Sequence, residues 1–336
     1  MSLDYTTVSG TWTAPNPDTA GGADYTLVLN ALQSCSLTGS MTAVSPNTHV
    51  ETAITLQGRI DPGVRPSAGP DAGYALGWVL APRVETGLEH STTMWNALYF
   101  PSTQRIVAQW VVVASTTPGE AWGSANVGSV VYTRGRTGLS KQEAAQTEEQ
   151  HVTDVPAEML RSDPEASDPE TAAAALDYTR LKGTWYNELG SWMLLSAWPQ
   201  GSLVGLYNSK KGDASAAYEL RGRFDVSAPV AEGMGLSFGW AVGWNNAAHG
   251  DSYSASTWVG QLFLGPTPED DVITTQWLLG VSTAPEKIWA ATMLGGDVFT
   301  RGAPKAALAA TVPRVSVLAH PSIDKIVEKG EAIANM

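Results

Sequence analysis

An internal repeat constrains this 336-residue chain more than any other feature, and it shows first in the tryptophans. All thirteen fall within residues 12–122 and 185–289. The five of the first half (Trp12, Trp78, Trp95, Trp110, Trp122) each have a counterpart in the second (Trp185, Trp240, Trp258, Trp277, Trp289). The surrounding words recur in the same order: GTW at Gly10 and Gly183, LTG at Leu37 and LVG at Leu203, LQGRID at Leu56 and LRGRFD at Leu220, ALGWVL at Ala75 and SFGWAV at Ser237, AQWVV at Ala108 and TQWLL at Thr275. Trp110 and Trp122 are twelve residues apart, as are Trp277 and Trp289, which fixes the register. A duplication on this scale implies two units, each folding around a core of its own.

Each unit reads as short runs rich in Val, Leu, Tyr, Thr and Trp, broken by clusters of Gly, Pro, Asn and Asp. In the first unit these are YTLVLNAL, SLTGSMTAV, ETAITLQGRI, YALGWVLAP, TTMWNALYF, RIVAQWVVVA and SVVYTR, with GTW opening an eighth. Eight short strands in roughly 125 residues without helical stretches predict an up-and-down barrel, the closure that removes exposed sheet edges. The expected fold is all-β: two eight-stranded antiparallel up-and-down barrels, over residues 1–136 and 181–304. Between them, residues 137–178 carry ten acidic and two basic side chains, so eight of the thirteen net negative charges sit there. The segment 137–180 therefore reads as an acidic linker, for which full disorder and partial helix both fit. In the tail, 305–336, Ile323, Ile326, Val327 and Ile333 have the spacing of a short amphipathic helix.

Composition narrows the function classes. A net charge of -13 opposes binding to nucleic-acid phosphates or to an anionic membrane surface, so neither is expected as a partner. The single cysteine, Cys35, permits no internal disulfide, and no apolar run has the length of a membrane span. Residues 1–12 lack a basic region followed by an apolar core, so the expectation is a chain without a signal peptide, intracellular or non-classically secreted. The five histidines (His49, His90, His151, His249, His320) have no ligand spacing for zinc, and no metal or catalytic residue is assigned. No phosphate loop and no GxGxxG opening a helix is present. Asp61 and Asp225 recur after Gly-Arg, where a repeated structural ion pair explains them better than acid/base catalysis.

From GTWYNELGS through GRFD, GWAVGW, SASTW, TQWLL and GGDVFT, the second unit resembles the avidin and streptavidin family, closest in wording to streptavidin and the fungal avidins. The resemblance implies biotin as ligand rather than cofactor. In the family an Asn, a Ser and a Tyr donate to the ureido oxygen, positions matched by Asn187, Ser191 and Tyr207. Donors converging on that oxygen leave positive character on the ureido nitrogens, whose acceptors are matched by Asp297 and Ser209. Trp244, Trp258 and Trp277, with Leu279, match the apolar wall, and Ser254 and Ser256 the contacts to the biotin sulfur and carboxylate. Lys211, Gly212 and Asp213 lie in the loop at the carboxylate end, with Asp213 where streptavidin has Asn. The family also implies that Trp289, and in the first unit Trp122, leave their own barrel to cap a neighbour's pocket, and that barrels associate. Two barrels on one chain then predict an intramolecular pseudo-dimer, and two chains a pseudo-tetramer.

The first unit has lost this cradle. At the Asn, Tyr, Ser, Trp and Asp positions stand Ala14, Met41, Ala43, Pro82 and Val130, while Ser91, Thr93, Trp95 and Trp110 remain. Two readings stay open for it: a barrel kept for architecture, or a pocket retuned for an apolar ligand. For the whole chain, biotin binding in the second barrel is the first expectation. The alternative is an enzyme that uses such a calyx for cyclisation, cycloaddition or isomerisation of an apolar metabolite.

Overall fold

The computed structural model describes residues 3–14, 25–44, 51–81, 90–121, 125–134, 177–210, 216–227, 231, 233–246 and 250–302. Residues 137–176 of the linker and the tail bearing Ile323 and Ile333 lie outside them. The chain is all-β. In the first half, β1 (Gly10–Ala14), β2 (Tyr25–Ala31), β3 (Ser36–Val44), β4 (Glu51–Ile60), β5 (Tyr74–Leu80), β6 (Ser91–Phe100), β7 (Arg105–Ala114) and β8 (Ala125–Arg134) follow one another as antiparallel neighbours. The second half repeats the plan with β9 (Gly183–Asn187), β10 (Trp192–Ala197), β11 (Ser202–Asn208), β12 (Ala217–Phe224), β13 (Leu236–Asn246), β14 (Gly250–Phe263), β15 (Val272–Val281) and β16 (Thr292–Thr300). Each set closes into a barrel: β1 pairs β8 through Trp12↔Arg134, and β9 pairs β16 through Asn187↔Phe299.

The repeated words mark positions where the barrel leaves no choice of residue. A Cβ on Gly39 or on Gly205 would sit 1.9 Å from the carbonyl oxygen of Val28 or Leu194, so the LTG and LVG glycines are demanded by the neighbouring strand. Trp78 stacks on Trp95 with ring centroids 5.7 Å apart, and Trp240 on Trp258 at 5.4 Å. Each barrel is also approached by an Asp-capped turn. Asp4 accepts the Thr6 amide ahead of a one-turn helix (Tyr5–Val8), and Asp177 the Thr179 amide ahead of a 3₁₀ turn (Tyr178–Leu181). From these turns Val8 and Leu181 present carbonyls to the indole N–H groups of Trp12 (2.8 Å) and Trp185 (2.9 Å). Satisfying a buried indole in this way lets the ring sit fully inside the core.

An isolated antiparallel barrel should alternate buried and exposed residues along its strands, as β2 does. All seven residues of β5 are buried, because its outer side chains pack against the other barrel. Val79, Met94, Val111 and Val113 of the first barrel form one apolar cluster with Val259 and Leu278 of the second. Around it Arg59 pairs with Glu219 at 2.8 Å, and the Gln57 amide donates to the Ser202 hydroxyl at 2.8 Å. Two backbone hydrogen bonds related by the repeat frame the contact: Gly73 N–H to Thr283 C=O and Gly235 N–H to Thr116 C=O, both 2.9 Å.

Candidate functional site

Four buried polar side chains of the second barrel, Asn187, Ser191, Tyr207 and Asp297, are linked in one neighbourhood. β9 ends at Asn187, whose Oδ1 accepts the amides of Leu189 (3.1 Å) and Ser191 (2.8 Å), a local turn that fixes both side chains. Asn187 and Ser191 are buried, as are Tyr207 on β11 and Asp297 on β16. Ser191 hydrogen-bonds the Tyr207 hydroxyl and accepts the Lys210 amide at 3.0 Å. Asp297 accepts the indole N–H of Trp258 at 3.1 Å and further hydrogen bonds from Asn187 and Trp277. Burial, together with the nearby Glu188 carboxylate, lifts the Asp297 carboxyl from 3.8 to about 6, against the pull of those donors. The Tyr207 hydroxyl is raised well above 10.0, first by burial and then by Asp297, so it remains a proton donor at neutral pH.

Aromatic rings form the rest of the wall. The Tyr207 ring lies 4.8 Å from Trp258 and edge-on to Trp244 at 5.9 Å. Trp244 donates its indole N–H to Ser256 at 2.7 Å, and the Ser254 hydroxyl pairs with Ser252 at 2.8 Å. Trp277 and Leu279 on β15 remain partly accessible while packing against the barrel's interior cluster. Ser209 follows β11 directly and is half-buried. The arrangement offers hydroxyl and amide donors at one end, a carboxylate acceptor beside them, and an indole-lined apolar wall. Chemically it complements a polar head that presents both an acceptor and N–H donors.

The structure therefore brings together Asn187, Ser191, Tyr207, Trp258, Trp277 and Asp297, with Trp244 and Ser256 joined to them through the rings. Lys211, Gly212 and Asp213 lie outside the described residues, as do Pro82 and Trp122, and the Trp289 side chain does too. The backbone of Trp289 lies in a 3₁₀ segment, Pro285–Ala290, whose Ile288 packs beside Ala75, Leu98 and Phe100 of the other barrel.

Three participants escape the sequence reading. Tyr218 meets Trp244 edge-on at 5.0 Å, and Glu188 accepts the Val298 amide at 2.9 Å beside Asp297. The third comes from the first barrel: Asp61, fully buried, accepts the backbone amide of Ser254 at 2.8 Å. Ile60 next to it presents its carbonyl to Gly243, where a Cβ would approach to 2.9 Å. The first barrel thus grips the strands that carry Trp244 and Ser254. Asp225, the counterpart of Asp61, accepts the Ser227 amide at 2.8 Å and lies 3.8 Å from His90 of the first barrel. Both carboxylates hold backbone amides, Asp61 also that of Gly63 at 2.9 Å.

The first barrel's interior is built differently. Met41 stands opposite the Tyr132 hydroxyl at 3.7 Å, and Tyr132 and Trp95 pack with rings 6.1 Å apart. Val130 occupies the register position of Asp297, and the Trp95 indole N–H has no hydrogen-bond partner among the described residues. Residues 175–302 match the model of the Avidin family. The second barrel with its approach turn is thus similar to that family, and with the first barrel closed on the same eight-strand plan the architecture is consistent with an avidin-like tandem chain.

Proposed function

We propose that this protein binds biotin in the calyx of its second barrel, one molecule per chain. The observation that carries the reading is the buried set Asn187, Ser191, Tyr207 and Asp297, polar groups that a barrel core would not otherwise retain. Placed on it, a ureido head meets donors from Asn187, Ser191 and Tyr207 and an acceptor in Asp297. Ser209 serves the second ureido nitrogen, and Trp244, Trp258, Trp277 and Leu279 cover the apolar ring and chain. Ser254 and Ser256, with Lys211, Gly212 and Asp213 of the sequence after β11, receive the far end. Burial of the ring system supplies the nondirectional part of affinity.

In this reading the first barrel is the architectural partner. The two barrels form an intramolecular pseudo-dimer, supported by the shared apolar cluster and by Asp61 holding the Ser254 amide. Two chains pair as a pseudo-tetramer, for which exposed Val127, Val131, Met293 and Leu294 offer apolar surface on β8 and β16. Calorimetry with biotin on the purified chain tests the function directly. Heat saturating at one biotin per chain supports it, and no heat at micromolar concentrations removes it.

A further inference from the structure

The repeat relates each contact between the barrels to a second contact, and two of the places where the related contacts differ in chemistry lie deep in the interface. Thr92 of β6 hydrogen-bonds Ser237 of β13 through their hydroxyls at 3.0 Å, both side chains being buried. The related pair is Ala255 of β14 and Ala75 of β5, which share an apolar cluster. Asn96 of β6 reaches across to donate to the Ala255 carbonyl at 2.9 Å, and its side chain lies where a Cβ on Gly280 would come within 2.2 Å of Oδ1. The related pair is Val259 and Val113, two valines in one apolar cluster. One half of the contact is polar and needs a glycine; the other is apolar and fills the same space with a second valine.

We infer that this surface is keyed for unlike halves, so that a first barrel accepts a second barrel and neither accepts its own kind. The inference rests on the intramolecular pairing proposed above. Two first barrels in the same geometry would set Thr92 against Ala75 and drive Asn96 into Val113, at both ends of the contact. Buried hydroxyls would lose their partners, and the Asn side chain would lose the space that Gly280 provides. Two second barrels would leave Ser237 opposite Ala255 and Val259 opposite Gly280, an unpaired hydroxyl and a void in each half. The backbone frame at Gly73–Thr283 and Gly235–Thr116 is shared by both halves of the contact, so the side chains carry the discrimination.

The test uses the full chain with a protease site inserted between residues 150 and 151. Isotopically light and heavy preparations are cut after folding, diluted until paired chains come apart, mixed until light–heavy exchange among the barrel pairs is complete, and weighed by native mass spectrometry. The expected result is only first–second pairs, including mixed-isotope ones. First–first and second–second pairs near the statistical one-quarter each overturn the key while leaving the pairing intact. Cut chains that separate into single barrels overturn the pairing, and the key with it.

Erasing the key sharpens the test. The quadruple variant Thr92→Ala, Ser237→Ala, Asn96→Val and Gly280→Val makes these two places alike in both halves of the contact, and like pairs are expected to rise to at least a tenth of the total. Should that variant not fold, Thr92→Ala with Ser237→Ala alone removes one of the two differences, and a smaller but measurable fraction of like pairs is expected. An erased variant that folds and still pairs only unlike halves places the discrimination elsewhere and overturns the assignment.

Discussion

Val130 in the first barrel and Asp297 in the second occupy the same place in the same ladder, and the contrast between them separates what the fold needs from what the site needs. Both barrels close on eight strands around a stacked tryptophan pair. In the second, the Trp258 indole donates to Asp297; in the first, the corresponding Trp95 has no hydrogen-bond partner among the described residues. The barrel thus stands without its cradle, and the cradle works against the barrel. Burial that lifts Asp297 to about 6 means that keeping the carboxylate ionised at neutral pH costs folding free energy, roughly 1–3 kcal/mol. The first barrel is spared that cost.

The most direct way to break this comparison is Asp297→Val, which writes the first barrel's residue into the second. Biotin affinity should fall by about a hundredfold or more, roughly 2.7 kcal/mol, while the chain stays folded. A calorimetric loss below about tenfold, both here and in Asn187→Ala, would mean that no ureido head is held by those side chains. The converse exchange, Ala14→Asn with Val130→Asp, should leave the first barrel silent to biotin, because Met41 and Pro82 still stand where Tyr and Trp would be needed.

Trp122 tests whether the first barrel serves the second barrel's pocket as a cap. Trp122→Ala should raise the biotin off-rate about thirtyfold, near 2 kcal/mol, with unchanged unfolding; an unaltered off-rate would leave the first barrel a scaffold only.

The pH dependence sharpens the contrast further. If the ligand's N–H meets the ionised Asp297, affinity measured from pH 8 to 5 should hold down to about 6 and then fall toward tenfold per unit. Stability runs the other way. A carboxyl whose value is raised in the folded state contributes stability that is fully present below its unfolded value and is lost as pH rises through about 6. Asp297→Asn should therefore narrow the difference in urea midpoint between pH 4 and 7.5, and an unchanged difference would refute the raised value. The smallest effect is expected from Asp61→Ala, an off-rate increase of about fivefold through a loosened Ser254, with Asp225→Ala as the control that leaves it unmoved.

Strand order and barrel closure were legible because alternation and Gly-rich turns are local, and the repeat supplied each strand twice. The approach turns were missed although DYTTV and DYTRL match, because the second copy sits at the end of a segment whose acidity reads as linker. Within the site, Asn187, Ser191, Tyr207 and Asp297 were legible only through their order in a family pattern; singly, a buried Tyr such as Tyr218 is indistinguishable from core. Asp61 was read as half of a repeated ion pair, and the Ser254 amide it accepts was not legible. No periodicity encodes a hydrogen bond to an amide 193 positions away in another barrel.

The closing seams have a consequence in time rather than in energy. Each barrel joins its first strand to its last through a short ladder, and an arginine finishes the join. Arg134 lies over the Trp12 ring at 4.8 Å and bonds the Thr7 carbonyl, while Arg301 lies over Trp185 at 3.7 Å and bonds the Lys182 carbonyl. These are the most sequence-distant contacts of each barrel, the ones whose loop closure costs most and which are therefore expected to form last. Asn187 and Asp297 stand on the two strands of the second seam and hydrogen-bond across it. A small molecule held between them acts as a clasp on a ring that has already closed. Contacts made after the folding barrier slow opening without hastening closure, so the ligand should lengthen the lifetime of the folded barrel far more than it shortens the time taken to reach it.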